Sequence, residues 1–314
     1  MEAGAQAMGA AAPGAGPLGV AKPRRGEQLI KALLFLAAAI SVLTTVLILV
    51  ALLKEAVSFF GDVGLSFFTD SEWSPLFNPP SFGIWQLLNG TFLITGIAMV
   101  VAVPIGLGIA VYLSEYAHPR VRKSVKPILE VLVGVPTVVF GYFALTFVTP
   151  TILQDLLSLE IQVFNALAAG LVMGFMIVPT IASISEDSMR AVPQGLREGA
   201  FGLGATRRQV ATKVVFPAAI SGIVASVVLG VSRGVGETMI VLVAAGLQPN
   251  FGANPTEPYA TVTGFMGATA KGDNPAGTVG YESIFACGIT LFVLTLVMNM
   301  VAIRFVRKYR EVYE

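Results

Sequence analysis

The sequence predicts an all-α polytopic membrane protein with six transmembrane helices and with the N- and C-termini cytoplasmic. Three observations carry that prediction. Hydrophobic residues make up 55% of the chain and charged residues 12%, a balance outside that of soluble globular domains. Apolar runs long enough to cross a bilayer recur along the chain. Basic residues collect in alternate connections between those runs, which orients the bundle. The net charge of +1 gives no case for a nucleic-acid partner. The single cysteine, Cys287, lies within an apolar run and excludes an intrachain disulfide.

Residues 1–28 are rich in Ala, Gly and Pro and poor in large apolar side chains, so a disordered cytoplasmic tail is expected. Lys22, Arg24 and Arg25 precede Ala32–Leu53, 22 residues without a charge, enough for a hydrocarbon core of about 30 Å. This run is too long, and its basic flank too far along the chain, for a cleaved signal peptide, so it is read as a retained span one. From Lys54 to about Ile84, aromatic residues including Phe59, Phe67, Trp73 and Phe77 mix with prolines and acids, as in an outer loop at headgroup level. Span two, about Gly90 to Ser114, carries Ala98, Ala102, Gly106, Ala110 and Ser114 at every fourth position, a stripe for close helix approach, with Pro104 as a kink site. A basic inner loop follows, with His118, Arg120, Arg122, Lys123 and Lys126. Span three covers about Pro127–Thr149. Glu130 in its first turn, four residues after Lys126, suits a dipole and ion-pair role. Spans four, five and six are placed at about Val163–Ile184, Ala218–Ala245 and Ile284–Ile303. The segment Gly246–Glu282 reads as a second outer loop of little periodicity.

The basic residues test this topology. Four flank span one (Lys22, Arg24, Arg25, Lys31), four follow span two, five lie between spans four and five (Arg190, Arg197, Arg207, Arg208, Lys213), and four end the chain (Arg304, Arg307, Lys308, Arg310). All of these fall on one side of the predicted bundle. The other side holds Lys54 and Lys271, and Arg233 lies inside span five. The bias places the connection after span four in the cytoplasm.

That connection is a polar island. Pro193 suits a first helical position, and Val192, Leu196, Ala200 and Leu203 recur at helical spacing, so a short amphipathic helix is expected to end among the glycines. Thr206 and Gln209 form a capping-box pattern starting a second helix, which Pro217 closes while opening span five. Such a helix also suits a position on the bilayer surface. The sequence has no Gly-x-x-x-x-Gly-Lys-Ser/Thr phosphate loop, no His-Glu-x-x-His and no cysteine pair, so neither ATP hydrolysis nor a metal centre is expected. Gly230-Val-Ser232-Arg-Gly234 has the letters of a nucleophile elbow, but it falls inside a span, and His118 lies in an inner loop. Gly222, Ser226, Gly230 and Gly234 read better as a second packing stripe. Arg233 and Glu237, four residues apart, are expected on one helix face near mid-membrane, where each charge requires a partner or a wet cavity. They fit either a mutual salt bridge or an oxyanion contact in which the guanidinium is a planar fork and Glu237 orients it.

Glu198-Gly199-Ala200, three residues, Gly204, nine residues, then a hydrophobic-x-hydrophobic-Pro unit ending at Pro217 resembles the EAA loop of ABC-importer permeases. Arg233-Gly-Val-Gly236-Glu237-Thr238-Met239 is similar to the Arg-x-x-Gly-Glu-Thr-Met segment of phosphate-importer permeases. Val135-Pro136-Thr-Val-Val-Phe-Gly141 resembles their Pro-Ser-Val-Val-Tyr-Gly segment, and the long outer loop with Glu72-Trp73-Ser-Pro75 favours the PstC type. The similarity covers roughly residues 30–310. Gly199 stands where the family has its first loop Ala, and Thr137 and Phe140 replace Ser and Tyr. The resemblance implies a type I ABC importer permease fold in a bacterial inner membrane, with 29–310 as the transmembrane permease domain and 186–217 as its cytoplasmic coupling loop. It implies a heterodimer with a PstA-like permease, two PstB-like ATPase subunits holding ATP and Mg, and a PstS-like phosphate-binding protein outside. The chain itself would hold no cofactor and no catalytic residue. Glu198, Gly199, Ala200, Gly204 and Pro217 become ATPase-coupling residues, and Arg233 and Glu237 become substrate-pathway residues. A permease for another oxyanion and an ion-coupled secondary transporter or channel are the competing readings. The last of these needs intramembrane charges but no EAA loop.

Overall fold

Helix-forming residues carry the first apolar run beyond its hydrophobic stretch. In the computed structural model, which describes residues 25–272, 275 and 277–308, α1 spans Arg25–Val63. Lys54 and Glu55 are straight-chain helix formers and do not stop it. It ends before Gly64, whose φ of 66° is a left-handed conformation open to glycine without strain. Two boundaries are thereby corrected. Residues 25–28 of the predicted tail are helical, residues 1–24 lie outside the described residues, and the outer loop starts at Gly64 instead of Lys54. The chain divides into one unit ending at Ala51 and another beginning at Leu52. In the first, nearly every side chain of α1 is exposed, as a lipid-facing span requires.

The second unit opens with the end of α1, followed by α2, Ser66–Thr69, and a hairpin of β1, Trp73–Ser74, and β2, Ser81–Phe82. The strands pair antiparallel with Trp73 opposite Phe82. Phe59, Phe67, Trp73 and Phe82 are buried edge-to-face, with ring centroids 5.2–6.3 Å apart, an arrangement that adds quadrupole attraction to area burial. The predicted loop therefore has an aromatic core.

Helix α3, Trp85–Val111, continues through wider π-type turns at Tyr112–Tyr116. Span three begins later than hydropathy suggests. Pro119–Val133 is an amphipathic helix, α4, and Pro136 separates it from α5, Thr137–Phe143, which π-type turns extend over Ala144–Leu156. Proline lacks an amide donor and forces the preceding residue out of the helical region, so the membrane-length span is Thr137–Leu156. Glu130 consequently lies near the end of α4, exposed, and not in a first turn. Then come α6, Ala166–Arg190; α7, Gln194–Gly202; α8, Arg207–Gln209; π-type turns at Val210–Val215; and α9, Phe216–Ala218. The start of the predicted coupling loop, residues 186–190, is thus the last turn of α6. Helix α10, Ile220–Val235, is followed by a non-helical break and π-type turns at Val241–Ala245. The second outer segment is not a plain loop. Tyr259, Ala260 and Thr261 are buried, and the Thr261 side chain caps α11, Val262–Thr269. Helix α12 covers Val279–Lys308. Among the described residues five helices are long and apolar enough to span a membrane. A sixth is counted if Arg207–Ala218 and Ile220–Val235, bent by 71°, are taken as one.

Helices α3 and α6 form the central seam. Ala98, Ala102, Gly106 and Ala110 are buried in it, as the stripe predicted. A Cβ at Gly106 would lie 2.9 Å from Ile181 Cβ, and one at Gly174 would lie 2.8 Å from the Ala98 carbonyl oxygen. Helix α10 packs on α6 through the second stripe, with the Ser185 and Ser226 hydroxyls 2.7 Å apart. Gly174→Ala is expected to destabilise the purified protein by about 1–3 kcal/mol, because the contact is with backbone and the two helices must separate. Gly108→Ala, where a Cβ meets nothing within 4 Å, is expected to be neutral or stabilising by up to about 1 kcal/mol. Thermal unfolding in detergent checks both, and equal melting temperatures for the two variants would contradict the seam.

Candidate functional site

The segment after α6 is built from a cap, a turn and one buried cation. Pro193 stands at the N-cap of α7, one residue before the expected first helical position, and its side chain makes no capping hydrogen bond; Gly204, at φ 82°, reverses the chain. The predicted capping box forms. The Gln209 amide donates to Thr206 Oγ1 at 3.4 Å and the Thr206 amide to Gln209 Oε1 at 2.8 Å. The predicted apolar face of α7 holds only in part. Val192 and Ala200 pack on the cluster of Met189, Val210, Val215, Ala219 and Ile223, whereas Leu196 is 38% exposed and Leu203 91%. Helix α7 is anchored instead by Arg197, which is 8% exposed. Its guanidinium donates to the carbonyls of Val192 at 2.6 Å and Met189 at 2.8 Å and pairs with Glu115 at 3.0 Å. Carbonyls at a helix end lack intrahelical donors, and here a charged side chain supplies them. Since Glu115 sits in the extension of α3 and Met189 in the last turn of α6, Arg197 ties α7 to both seam helices. Glu198 and Gly199 lie exposed on the outer side of the same short helix. Pro217 does not mark the bend as expected. It lies inside α9, and the break falls at Ala219.

A second ionic cluster braces α4. Glu186 on α6 is 1% exposed. Arg122 Nε lies 2.7 Å from its Oε1, an ionic contact rather than an aligned hydrogen bond, and Lys126 Nζ donates to its Oε2 at 3.0 Å and also to Asp187. Burial disfavours the Lys126 ammonium, but its hydrogen bonds to Asp187 and Glu186, and their charges, outweigh burial and hold it above the ordinary lysine range. Glu130 has no part in this cluster, contrary to its expected pairing with Lys126.

Span five is interrupted at its most polar point. Helix α10 ends at Val235, and Glu237 lies in the non-helical break, so Arg233 and Glu237 do not share a helix face. Nor do they pair. Arg233 Nη1 donates to Thr180 Oγ1 at 3.2 Å, while Glu237 Oε1 accepts from the amides of Met239 at 3.0 Å and Ile240 at 3.2 Å. Gly236 is a weak helix former, and a carboxylate capping the amides of the next turn stabilises the break. Thr263 Oγ1 donates to the Glu237 carbonyl at 2.6 Å, and the Val262 amide donates to Thr91 Oγ1 at 3.1 Å, so the outer segment is laced to this break. Glu237 lines a small pocket with Thr91, Thr95, Thr261 and Thr263 on one side and Ile94, Met173 and Val241 on the other, too tight for a water-sized sphere. Among the described residues Arg233 enters no ion pair. Ser232, of the elbow-like motif, lies inside α10 and donates to Asn299 Oδ1 at 3.3 Å.

Residues 102–311 match the family described as the binding-protein-dependent transport system inner membrane component. The chain belongs to this family. This ABC importer permease is 33% identical over 291 residues to a probable ABC transporter permease protein, YqgH, of Bacillus subtilis, covering 92% of each chain. It is 30% identical over 274 residues to the phosphate transport system permease protein PstC of Haemophilus influenzae, covering 82% of this chain and 84% of that one. In a bacterial alginate ABC transporter crystallised with an alginate-bound periplasmic protein, one chain matches at a TM-score of 0.63 and 16% identity, over 93% of this chain and 100% of that one. The fold is therefore that of a type I ABC importer permease, a multi-pass inner-membrane subunit that functions with ATPase subunits, a substrate-binding protein and a second permease.

The permease places Glu198, Gly199, Ala200 and Gly204 on one knob, with Pro217 on the following bent segment and Arg233 and Glu237 apart from them in span five. Sequence reasoning missed Arg197, Glu115 and Glu186, whose partners lie 82 and 60 residues away and leave no local spacing to read. An acid closing an apolar run, as Glu115 does, is the one available sign. Arg197→Met is expected to lower stability by about 3 kcal/mol, because it strands a buried carboxylate. Adding Glu115→Gln should recover part of that loss. Thermal unfolding of the detergent-purified variants is the check, and an unchanged melting temperature for Arg197→Met would remove the clamp.

Proposed function

We propose that this permease translocates inorganic phosphate, beside a PstA-like permease, with two PstB-like ATPase subunits beneath the pair, one of them docked on α7, and a PstS-like phosphate-binding protein delivering substrate from outside. The observation that carries the reading is Arg233, an intramembrane guanidinium hydrogen-bonded to a neutral threonine and without a carboxylate partner among the described residues. A charge at that depth calls for compensation, and a planar fork of donors suits a tetrahedral oxyanion. Similarity to PstC proteins favours phosphate among oxyanions. Glu237, fixed by two amides beside the path, adds a negative charge that weakens anion binding, which a pathway requires for release. ATP and its magnesium are held by the ATPase subunits. Their motion reaches α7 at Glu198 and passes through Arg197 to α3 and α6, so rigid-body movement of the seam alternates access.

Two variants test this reading. Arg233→Gln should assemble with its partners in the membrane yet lose phosphate uptake, measured with labelled phosphate in cells lacking other phosphate importers. Near-normal uptake would end the pathway role. Glu198→Arg should leave the permease inserted and folded but abolish energised uptake, because the reversed charge weakens the ATPase contact. Retained ATPase subunits together with normal transport would refute the docking.

A further inference from the structure

A cavity of about 880 Å3 opens at the α7 end of the bundle in the angle between α4 and α7. Six cations line it: Arg122, Lys123, Lys126, Arg190, Arg197 and Arg207. Three of them are committed, Arg197 to Glu115 and Arg122 and Lys126 to Glu186. Lys123, Arg190 and Arg207 are exposed and, among the described residues, enter no ion pair. The only carboxylate of the lining without a cation is Glu130, so the cavity carries a surplus of positive charge after its internal pairs are made.

Its depth is set by the spans. The extension of α3 ends at Tyr116 and α6 ends at Arg190, both membrane-length helices, and residues from each end line the cavity. The mouth therefore lies where helices leave the hydrocarbon and meet headgroups. Helix α4 fits that level. Leu129 is buried against Leu113 and Ala182, whereas Ile128, Val131 and Leu132 are 58%, 71% and 43% exposed. One face of α4 thus docks on the bundle, another lines the cavity with cations, and a third offers an apolar row outward, the pattern of an interfacial helix.

We infer that this cavity binds the headgroup of an anionic phospholipid. Lys123, Arg190 and Arg207 take the phosphate oxygens. Two guanidinium forks and an ammonium lining one cavity at headgroup depth are the donors that a lipid phosphate accepts from. The exposed apolar row on the far side of α4 holds that helix at headgroup level, where a lipid phosphate lies and a free anion is not concentrated.

Native mass spectrometry of the full-length permease in mixed micelles of phosphatidylglycerol and phosphatidylcholine tests the inference. The expected result is selective retention of phosphatidylglycerol. In the triple variant Lys123→Gln, Arg190→Gln, Arg207→Gln its affinity should fall about tenfold or more, with the melting temperature in lipid-free detergent unchanged. The variant Arg208→Gln, Lys213→Gln, which removes exposed cations of the same segment outside the cavity, should bind normally. Equal retention of both lipids, an equal loss in both charge variants, or displacement of the lipid by millimolar inorganic phosphate would overturn the site. Displacement by the docked ATPase subunit would overturn it as well, by assigning the cavity to the protein partner.

Discussion

The contact between α3 and α6 is the constraint on which the rest of the second unit depends. Lipid tails are as apolar as leucine, so burying leucine between helices gains little in a bilayer, and close van der Waals packing must hold them. Glycine at 106, 170 and 174 provides it by letting one backbone reach the side chains and carbonyls of the other. Every element with a functional assignment is then referenced to this pair. Helix α10 stacks on α6, α4 docks through Leu129 and the Glu186 ion pairs, and α7 is clamped by Arg197 to both ends.

What was legible in the sequence was what repeats locally. The small-residue stripes, the Thr206–Gln209 capping box and the end of α7 among its glycines are set by near neighbours, and they are where the sequence puts them. The boundaries failed where two signals competed. Hydropathy ran span three back to Pro127, but the amphipathic period of α4 and the break at Pro136 decide where the membrane helix begins. Hydropathy likewise ran span five straight through Gly236, where the weak helical preference of glycine and a carboxylate cap open the chain. The spacing of Arg233 and Glu237 implied a shared face only for an unbroken helix. Arg197 and Glu186 were beyond reach, because a long-range ion pair has no period.

The charged groups divide by depth. At the α7 end, buried carboxylates are matched by cations, and they fasten helix ends together. Further into span five the pattern changes, with Glu237 satisfied by backbone amides and Arg233 by a neutral hydroxyl. Buried ion pairs stiffen an interface, whereas Glu237 is satisfied by amides and Arg233 by a hydroxyl, so neither neutralises the other. The ion pairs that fasten helices and the charges of span five thereby occupy separate parts of one chain.

The 71° bend at Ala219 has a mechanical meaning. Two stiff arms joined at a corner behave as a bell-crank, which turns a push along one arm into a sideways swing of the other. From Ala219 to Arg233 the longer arm measures about 20 Å at the helical rise, so a rotation of about 5° at the corner carries its tip sideways by about 2 Å. That is comparable to the difference between a hydrogen bond made and one broken. Because α10 is packed on α6 through Ser226 and its glycines, a swing of that size has to carry α6 along or open the contact between the two helices.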